Sequence, residues 1–252
     1  MKVSIITVVL NNADTIAQAI DSVLAQDYPD LEYIIIDGQS TDGTIDIIKS
    51  YGDKISQWVS GKDGGIYPAM NKGLKMATGQ IIGILNADDV YASNKVISGI
   101  VASMQQNNAD TAYADLNYVS RNDLTKVIRY WRSGSYKKGS FKFGWMPPHP
   151  TFFVKKSVYE KCGVFDTTLR SAADYELMLR LLHKHQVSTC YWPHIAVNMR
   201  VGGESNKDVK NRIKANNEDA LAWKKNDLKM PFFTRYLKPI RKIPQFILKK
   251  AR

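Results

Sequence analysis

The sequence lacks an apolar run long enough to cross a membrane. Spanning a bilayer takes about 20 consecutive apolar residues, and no stretch of this 252-residue chain reaches that length. The apolar run at residues 3–10 is short, follows a single lysine and has no small-residue cleavage site after it. We therefore interpret it as a buried first strand rather than a signal peptide, and we expect a cytoplasmic protein.

Cysteine is scarce as well. Cys162 and Cys190 form neither a CxxC pair nor a dense framework, which indicates reduced thiols in an intracellular protein and excludes a small disulfide scaffold. The hydrophobic and charged contents, 44% and 23%, are typical of a globular protein. A chain of this length can form one large α/β domain or two small ones.

Acidic residues are absent from the C-terminal end. The last 24 residues carry eight cations and no Asp or Glu: Lys229, Arg235, Lys238, Arg241, Lys242, Lys249, Lys250 and Arg252. This tail accounts for most of the net charge of +11. The basicity is therefore a local property of the tail, which needs its own explanation.

Strand and helix patterns alternate through the first half of the chain. β-branched runs predict strands at residues 3–9, 32–36, 56–59 and 81–85, and helical spacing predicts helices at residues 16–24, 45–51 and 66–77. This alternation predicts an α/β fold with a mostly parallel sheet flanked by helices.

The pattern changes after residue 89. We predict a helix at residues 96–106, a strand at 111–115, a strand-like piece at 127–131 and an extended proline-rich path into a strand near 152–153. A helix beginning near residue 171, short strands at 189–192 and 195–199 and a polar helix at 205–225 follow. We expect a small antiparallel edge in this half.

Polar side chains follow the predicted strands. Asp88 and Asp89 come directly after the fourth strand, Asp37 after the second and Asp63 after the third. Ligands of open α/β sheets gather at the carboxyl ends of strands, and adjacent carboxylates there suit a divalent cation such as Mg²⁺ or Mn²⁺. The alternative is that residues 86–89 only turn the chain and cap the next helix.

Four segments, in order and at strand ends, carry a resemblance to a known family. They are residues 4–11 (SIITVVLN), 36–44 (IDGQSTDGT), 65–73 (GIYPAMNKG) and 85–89 (LNADD). With these segments the chain resembles the bacterial family 2 glycosyltransferases over residues 3–201. The resemblance implies the GT-A fold, a Rossmann-like nucleotide-diphospho-sugar transferase fold, and inverting transfer from a nucleotide-sugar donor.

The resemblance also implies roles on the donor side. Nucleotide contacts are expected from Thr7, Val9, Asn11, Asp37, Asp63, Asn86 and Ala87. For Asp37, and for Asp42 beside it, the alternative is an Asx turn. Lys72 is a candidate for a phosphate contact, with a solvated lysine as the alternative.

The family's Asp-x-Asp metal motif appears here as Asn86-x-Asp88, so the resemblance places Mn²⁺ or Mg²⁺ chiefly on Asp88, with Asp89 as second ligand or orienter. Asp174 is the candidate general base, although the family's Glu-Asp pair is reduced here to the Asp. The alternative is that Ser171 and Asp174 form a capping box. His149 is a candidate for donor or acceptor contact, or a structural histidine.

Together these features predict an inverting hexosyltransferase-type enzyme that moves a sugar from a UDP-sugar to a glycan or lipid-linked acceptor in polysaccharide or lipopolysaccharide biosynthesis. We expect a GT-A domain at residues 1–228, with a nucleotide-binding half at about 1–115 and an acceptor-side half at 116–228. One rival is a nucleotidyltransferase, which should have a glycine-rich basic loop after the first strand, where this chain has Asn11-Asn12-Ala13-Asp14. The other is a nucleic-acid-binding module, which the acids at the strand ends disfavour; we expect no nucleic-acid partner.

The tail, residues 229–252, interleaves its cations with apolar side chains. These are Phe232, Phe233, Tyr236, Leu237, Ile240, Ile243, Phe246, Ile247 and Leu248. Pro239 and Pro244 argue against one continuous helix, so we expect two short pieces on the anionic inner face of the cell membrane. The alternative is a tail that packs on its own domain or mediates a dimer.

Overall fold

The computed structural model of the chain describes residues 1–202, 209–241 and 245, with only the backbone described for residues 209–216. Its first part alternates strands with helices, as predicted. The elements are β1 (Val3–Val9), α1 (Ile16–Leu24), β2 (Leu31–Asp37), α2 (Thr44–Ser50), β3 (Gln57–Ser60), α3 (Ile66–Met76), β4 (Ile81–Ile84), β5 (Val90–Tyr91) and α4 (Val96–Gln106).

The second part mixes longer strands with short helices. Its elements are β6 (Thr111–Val119), β7 (Val127–Trp131), β8 (Phe153–Lys155), α5 (Lys156–Cys162), α6 (Ala173–Met178), β9 (Thr189–Arg200), α7 (Val209–Lys225) and α8 (Thr234–Ile240). Among the described residues, nine strands form one sheet in the order β3-β2-β1-β4-β8-β6-β9-β5, with β7 paired to β6.

The first half of the sheet is parallel, and its central strand is buried. β1 lies between β2 and β4, and β3 pairs with the far side of β2, all in parallel. All seven residues of β1 are buried, as β-branched runs require when helices cover both faces of a parallel sheet. The chain runs outward from β1 to β2 and β3 and then crosses back to β4 on the other side of β1. Because the strand order reverses at β1, a crevice opens at its carboxyl end.

The second half of the sheet is mixed. β8 pairs antiparallel with both β4 and β6, β7 pairs antiparallel with β6, and β5 pairs antiparallel with β9. Only β6 and β9 run parallel there. The α/β fold class is confirmed, but antiparallel pairing is not confined to a small edge. It reaches the middle of the sheet, where β8 separates the four parallel strands β3-β2-β1-β4 from the parallel pair β6 and β9.

Several boundaries differ from the predicted ones. The two strands predicted at residues 189–192 and 195–199 form one strand, β9, whose pairing with β6 shifts register near Asp115. A β-bulge explains this, since it bends a strand without ending it. The predicted strand at 111–115 extends to Val119 as β6. After Met178 the helix continues as a π-helical segment, Leu179–Lys184.

Close approach of α3 to the sheet depends on a glycine. A Cβ on Gly73 would lie 2.5 Å from Cγ2 of Ile6 on β1 and 3.4 Å from Cγ1 of Ile36 on β2. Ile6 and Ile36 are fully buried, and burying a side chain of this size contributes roughly 1.5–3 kcal/mol. The packing holds α3, and the loop before it, against the carboxyl ends of the central strands.

The described part of the tail packs on the domain. The α8 residue Thr234 is buried and donates a hydrogen bond to the carbonyl of Lys142. The first of the two predicted tail pieces is α8, a helix of about two turns that contains Pro239. Of the second piece, the structure describes only Gln245. Within the residues that the structure describes, no helix has the length and apolar character needed to cross a bilayer.

Candidate functional site

The loops that carry the predicted residues meet at one edge of the sheet. Val9 at the end of β1 is in register with Asp37 at the end of β2, which is in register with Ser60 at the end of β3. On the other side of β1, Ile6 is in register with Ile84, the last residue of β4. The loops after all four strands therefore lie side by side, at the crevice beside β1.

Asp37 connects the loop after β2 to the end of β3 through hydrogen bonds to its buried carboxylate. Its side chain is fully buried, and its carboxylate accepts hydrogen bonds from the backbone N–H groups of Gln39 and Ser40, each at 3.1 Å, and from the Ser60 hydroxyl at 2.6 Å. These contacts favour the Asx-turn interpretation of Asp37. Its role as a nucleotide ligand remains a prediction.

Asp42 also forms a turn. It accepts hydrogen bonds from the Thr44 N–H and hydroxyl and from the Ala13 N–H. These contacts lower the pKa of the Asp42 carboxyl, the Thr44 hydroxyl having the largest effect. Asp42 therefore ties the loop after β1 to the start of α2.

Of the nucleotide-binding residues predicted at the end of β1 and in the loop after it, some face the core and others lie at the edge of the sheet. Thr7 is fully buried, and its hydroxyl accepts a hydrogen bond from Tyr33 at 3.0 Å, so this side chain serves the core. Val9 accepts from the Gly38 N–H through its carbonyl. Asn11 has a left-handed backbone with φ of 48° and accepts from the Thr41 N–H at 2.8 Å. Val9 and Asn11 therefore lie at the edge, whereas the Thr7 side chain does not.

Asp63 presents an unusual carboxylate. Its Oδ1 pairs with the ammonium of Lys72 at 3.0 Å, and its side chain is only 7% exposed. Its Oδ2 is buried and has no hydrogen-bond partner. An unsatisfied buried carboxylate oxygen is costly, so a ligand that donates a hydrogen bond to it would gain affinity there. Lys72, by contrast, is engaged with Asp63 rather than free to reach a phosphate.

The polar residues in the loop after β4, Asn86, Asp88 and Asp89, have different roles. Asp89 is buried, and its carboxylate accepts from the Asn86 side-chain amide at 2.9 Å and from the Arg200 N–H at 3.2 Å. Burial, followed by the charge of Asp88, raises the pKa of Asp89. Both carboxylate oxygens of Asp89 thus accept hydrogen bonds from the protein, one from the loop itself and one from the end of β9. This favours the orienting role of Asp89 over the ligand role. Asp88 is left as the half-buried carboxylate of the pair.

Ala87 lies behind this loop. It is buried, and its carbonyl lies 3.1 Å from the Thr15 hydroxyl, which lies 2.8 Å from the Asn12 side-chain carbonyl. The loop after β4 is thereby fixed to the loop after β1. Only the backbone of Ala87 can offer a contact to a nucleotide.

Arg200, at the end of β9, holds the same loop from the other side and was not predicted from the sequence. Its guanidinium is buried and donates to the carbonyl of Asp88, the carbonyl of Arg121 and the side-chain carbonyl of Gln18. Burial lowers the pKa of Arg200, while Asp89 and Asp88 oppose that shift. Arg200 therefore fixes the backbone from which the Asp88 carboxylate projects.

Asp174 is not a helix cap. α6 begins at Ala173, its N-terminus has no side-chain capping bond, and the Ser171 hydroxyl donates instead to Glu218. The Tyr67 hydroxyl of α3 donates to Oδ1 of Asp174 at 3.2 Å. The capping-box alternative for Asp174 is wrong, and the carboxylate is instead held by a side chain from the helix that follows Asp63.

His149 lies beside this carboxylate. Its ring meets Phe165 edge-on at 5.7 Å between centroids, and Phe165 stacks on Tyr67 at 5.8 Å. Burial lowers the pKa of His149, and the negative charge of Asp174 opposes that shift. The structure therefore brings His149, Tyr67 and Asp174 together, with Tyr67 contributed by α3.

Tyr118 on β6 is influenced by carboxylates from two parts of the site. Burial raises the pKa of its hydroxyl, and after the opposing effect of Arg129 the charges of Asp89 and Asp174 raise it further. The Arg129 guanidinium stacks over the Tyr118 ring at 3.7 Å.

The described residues contain no group of three His, Cys, Asp or Glu side chains that could hold a metal. The loop after β4 offers the Asp88 carboxylate and the Oδ1 of Asn86, whose amide nitrogen is engaged with Asp89. Mg²⁺ is commonly bound by one or two protein oxygens together with substrate phosphates. Asp88 and Asn86 therefore fit a divalent ion that takes its remaining ligands from substrate phosphates and water.

A family model, "Glycosyl transferase family 2", matches residues 4–170 of the chain. An uncharacterized glycosyltransferase of Rickettsia typhi is 31% identical over 199 residues, covering 76% of this chain. The chain spans 61% of the length of that relative. A "PGL/p-HBAD biosynthesis glycosyltransferase" of Mycobacterium bovis is 27% identical over 212 residues, covering 82% of this chain and 80% of that protein.

Solved structures share the fold. S. aureus TarS, residues 1–349, in complex with UDP-GlcNAc superposes with a TM-score of 0.67 at 18% identity, covering 91% of this chain and 68% of that one. A Pyrobaculum calidifontis mannosyltransferase in complex with GDP-Man and Mn²⁺ superposes with a TM-score of 0.65 at 20% identity, covering 94% of this chain and 68% of that one. At these identities the similarity shows the fold alone.

Proposed function

The chain belongs to glycosyl transferase family 2, and on that premise we propose that it transfers a sugar, with inversion at the anomeric carbon, from a UDP-sugar to an acceptor hydroxyl. The observation that carries this proposal is the buried Oδ2 of Asp63, which has no hydrogen-bond partner at the carboxyl end of β3. The imide N–H of uracil would supply the missing donor. Val9, Asn11 and the Asp37 loop would form the rest of the nucleoside pocket.

The diphosphate would lie against the loop after β4. Asp88 and the Oδ1 of Asn86 would hold Mn²⁺ or Mg²⁺ there, and the ion would neutralise charge on the leaving diphosphate. Because the described residues supply so few ligands, we propose that metal and nucleoside diphosphate bind together. The Mn²⁺ and GDP-Man in the mannosyltransferase structure support this metal class for a protein of the same fold.

Asp174 is proposed as the general base. Tyr67 holds its Oδ1, which orients the carboxylate while Oδ2 takes the proton of the acceptor hydroxyl. The acceptor oxygen bonds to the anomeric carbon as the electron pair of the sugar–phosphate bond goes to the diphosphate. His149, packed on Phe165 beside Asp174, would contact the acceptor or the donor phosphates.

We propose a glycan or lipid-linked acceptor in polysaccharide or lipopolysaccharide biosynthesis, and a site of action at the cytoplasmic face of the cell membrane. The mycobacterial relative is named a "PGL/p-HBAD biosynthesis glycosyltransferase", which supports a biosynthetic role, and the basic tail suits an anionic surface. The proposed division has a nucleotide-binding half at about residues 1–115, an acceptor-side half at 116–228 and a tail at 229–252.

The proposal is tested by thermal stabilisation with UDP, GDP and CDP, with and without Mn²⁺. Saturating UDP at about 100 times its Kd should stabilise the protein by about 2.7 kcal/mol, a rise in Tm of roughly 5–10 °C for a chain of this size. Asp63→Asn should lose most of this rise because an amide N–H can face the base. Lys72→Met, which keeps the Asp63 carboxylate, should retain it.

Equal stabilisation of wild type and Asp63→Asn by UDP would refute the assignment of the base to Asp63. Stabilisation by GDP or CDP in place of UDP would refute the proposed donor. A lack of any nucleotide effect would refute nucleotide-sugar transfer by this chain.

A further inference from the structure

The segment at residues 139–144 and the helix α8 form one surface. Phe143 stacks on Phe233 at 5.7 Å between ring centroids, and the Lys142 carbonyl accepts a hydrogen bond from Thr234. Gly144 has a φ of +74°, and a Cβ there would lie 2.6 Å from the backbone nitrogen of Lys238. The two segments therefore pack backbone against backbone.

This surface exposes large apolar side chains. Phe143, Phe232, Tyr236 and Ile240, here called the aromatic ledge, are 52%, 84%, 66% and 54% exposed. They are four of the ten exposed large hydrophobic residues of the described chain and include all of its exposed Phe and Tyr residues. Single exposed apolar residues are ordinary, but a cluster with a polar rim marks an interaction site.

The rim of the ledge is cationic. Lys142, Arg235 and Arg241 are exposed beside it, and neither residues 137–144 nor residues 228–241 contain an Asp or Glu. The acids of the neighbouring helix α7 and of the residues after it already have partners. Glu218 accepts hydrogen bonds from Ser171, Asp219 pairs with Lys238 of α8 at 2.5 Å, and Asp227 pairs with Lys184 at 3.4 Å. The ledge thus combines aromatic groups with charge of one sign.

The ledge is also fixed to helix α6, which carries the proposed base Asp174. The Lys238 ammonium that pairs with Asp219 lies 4.1 Å from the centroid of the Tyr175 ring. Tyr175 follows Asp174 on α6 and accepts a hydrogen bond from Trp223 at 2.8 Å. A partner that docks on the ledge would therefore hold α6 and the proposed base at a set orientation.

We propose that the aromatic ledge docks on an anionic lipid bilayer, with its aromatic side chains at the headgroup level and its cations against the lipid phosphates. Aromatic residues favour the membrane interface, and lysine and arginine side chains near an anionic leaflet are attracted to its lipid headgroups. The sequence after residue 241 continues the same composition, with four cations and no acid. A second copy of this chain is a poorer partner, because its own cations would lie against the cations of this rim and repel them. This inference rests on the proposed site of action at the cell membrane and names the surface that would bind there.

The test is cosedimentation of the full chain with vesicles of phosphatidylcholine containing 30% phosphatidylglycerol, compared with vesicles of phosphatidylcholine alone. We expect binding to the anionic vesicles at low salt and release at high salt. The triple variant Phe232→Ser, Tyr236→Ser, Ile240→Ser should bind at least about tenfold more weakly. Val164→Ser, which alters an exposed apolar residue outside the ledge, should bind like wild type.

A second pair of variants tests the charge. Arg235→Glu with Arg241→Glu should abolish the salt-sensitive binding, whereas Lys49→Glu with Lys75→Glu, an equal change of net charge at exposed positions on α2 and α3, should not. The stabilisation by UDP is measured on every variant, so that a failure of docking is distinguished from a failure of donor binding.

Equal vesicle binding by the triple variant and wild type would overturn the proposal, as would binding to neutral vesicles alone or no vesicle binding. If light scattering shows a wild-type dimer that the triple variant loses while no protein binds vesicles, the ledge is a protein interface. If both charge variants lose binding equally, overall charge rather than the ledge carries the effect and the proposal fails.

Discussion

Replacing Arg200 with lysine should loosen the loop that carries Asp88. The guanidinium donates to three carbonyl oxygens, those of Asp88, Arg121 and the Gln18 side chain. An ammonium at the same place can keep about one of them, because it lacks the planar fork. Two hydrogen bonds from a charged donor are therefore lost, at about 1.5–3 kcal/mol each.

The unfolding free energy of Arg200→Lys should fall by about 3–6 kcal/mol, because the carbonyl oxygens left without a donor in this buried site are costly. For a chain of this size that is a fall in Tm of roughly 6–24 °C. Below the transition, UDP binding in the presence of Mn²⁺ should weaken at least about tenfold, which corresponds to about 1.4 kcal/mol.

Arg121→Ala is the matched control, because Arg121 contributes its backbone carbonyl to this contact and its side chain is exposed. It should leave both Tm and UDP affinity close to wild type. Denaturation and calorimetric titration of the three proteins give both quantities. A stable Arg200→Lys variant, or one that loses stability while binding Mn²⁺ and UDP like wild type, would refute the positioning of Asp88 by Arg200.

Other perturbations separate chemistry from stability. Asp88→Ala should abolish transfer and leave Tm nearly unchanged; full activity of this variant, or of wild type in excess EDTA, would contradict the metal assignment. Asp174→Asn should keep UDP binding and lose roughly 10²-fold in turnover, whereas near wild-type turnover would exclude a general base. Burial tends to raise the pKa of Glu32, but hydrogen bonds from Ser4, Thr78 and Lys2 lower it from 4.5 to about 2. Its stabilisation is therefore complete above pH 4.5 and is lost as the pH falls to 2, so Glu32→Gln should flatten acid denaturation in that window; an unchanged curve would contradict this.

The parallel half of the fold could be predicted because its signals are local. Buried runs such as residues 33–36 of β2 need no partner to be identified as strands, and turn residues follow each of them. β9 could not be predicted as one strand, since Pro193 interrupts the pattern and only pairing with β6 carries the strand past it. The antiparallel position of β8 likewise depends on contacts between distant segments.

The candidate site was predicted in position but not in detail. Strand ends identify where Asp63 and Asp88 lie, because parallel strands share an edge. The sequence does not show which of Asp88 and Asp89 is the better metal ligand. The hydrogen bonds that Asp89 accepts from Asn86 and Arg200 make this distinction in the structure. Arg200 lies 112 residues from Asp88 along the chain, so no local pattern connects them. The one available signal was a single arginine ending a mainly apolar strand.

The decisive measurement is calorimetric titration of the full chain with UDP, in the presence and absence of Mn²⁺. The crevice beside β1 is proposed to bind the nucleoside diphosphate and the metal together, through Asp63 and Asp88. We therefore predict stoichiometric UDP binding that weakens at least about tenfold without Mn²⁺, and that weakens to the same level in Asp88→Ala with Mn²⁺ present. The absence of UDP binding under both conditions, or equal affinity in all three experiments, would contradict the proposed site.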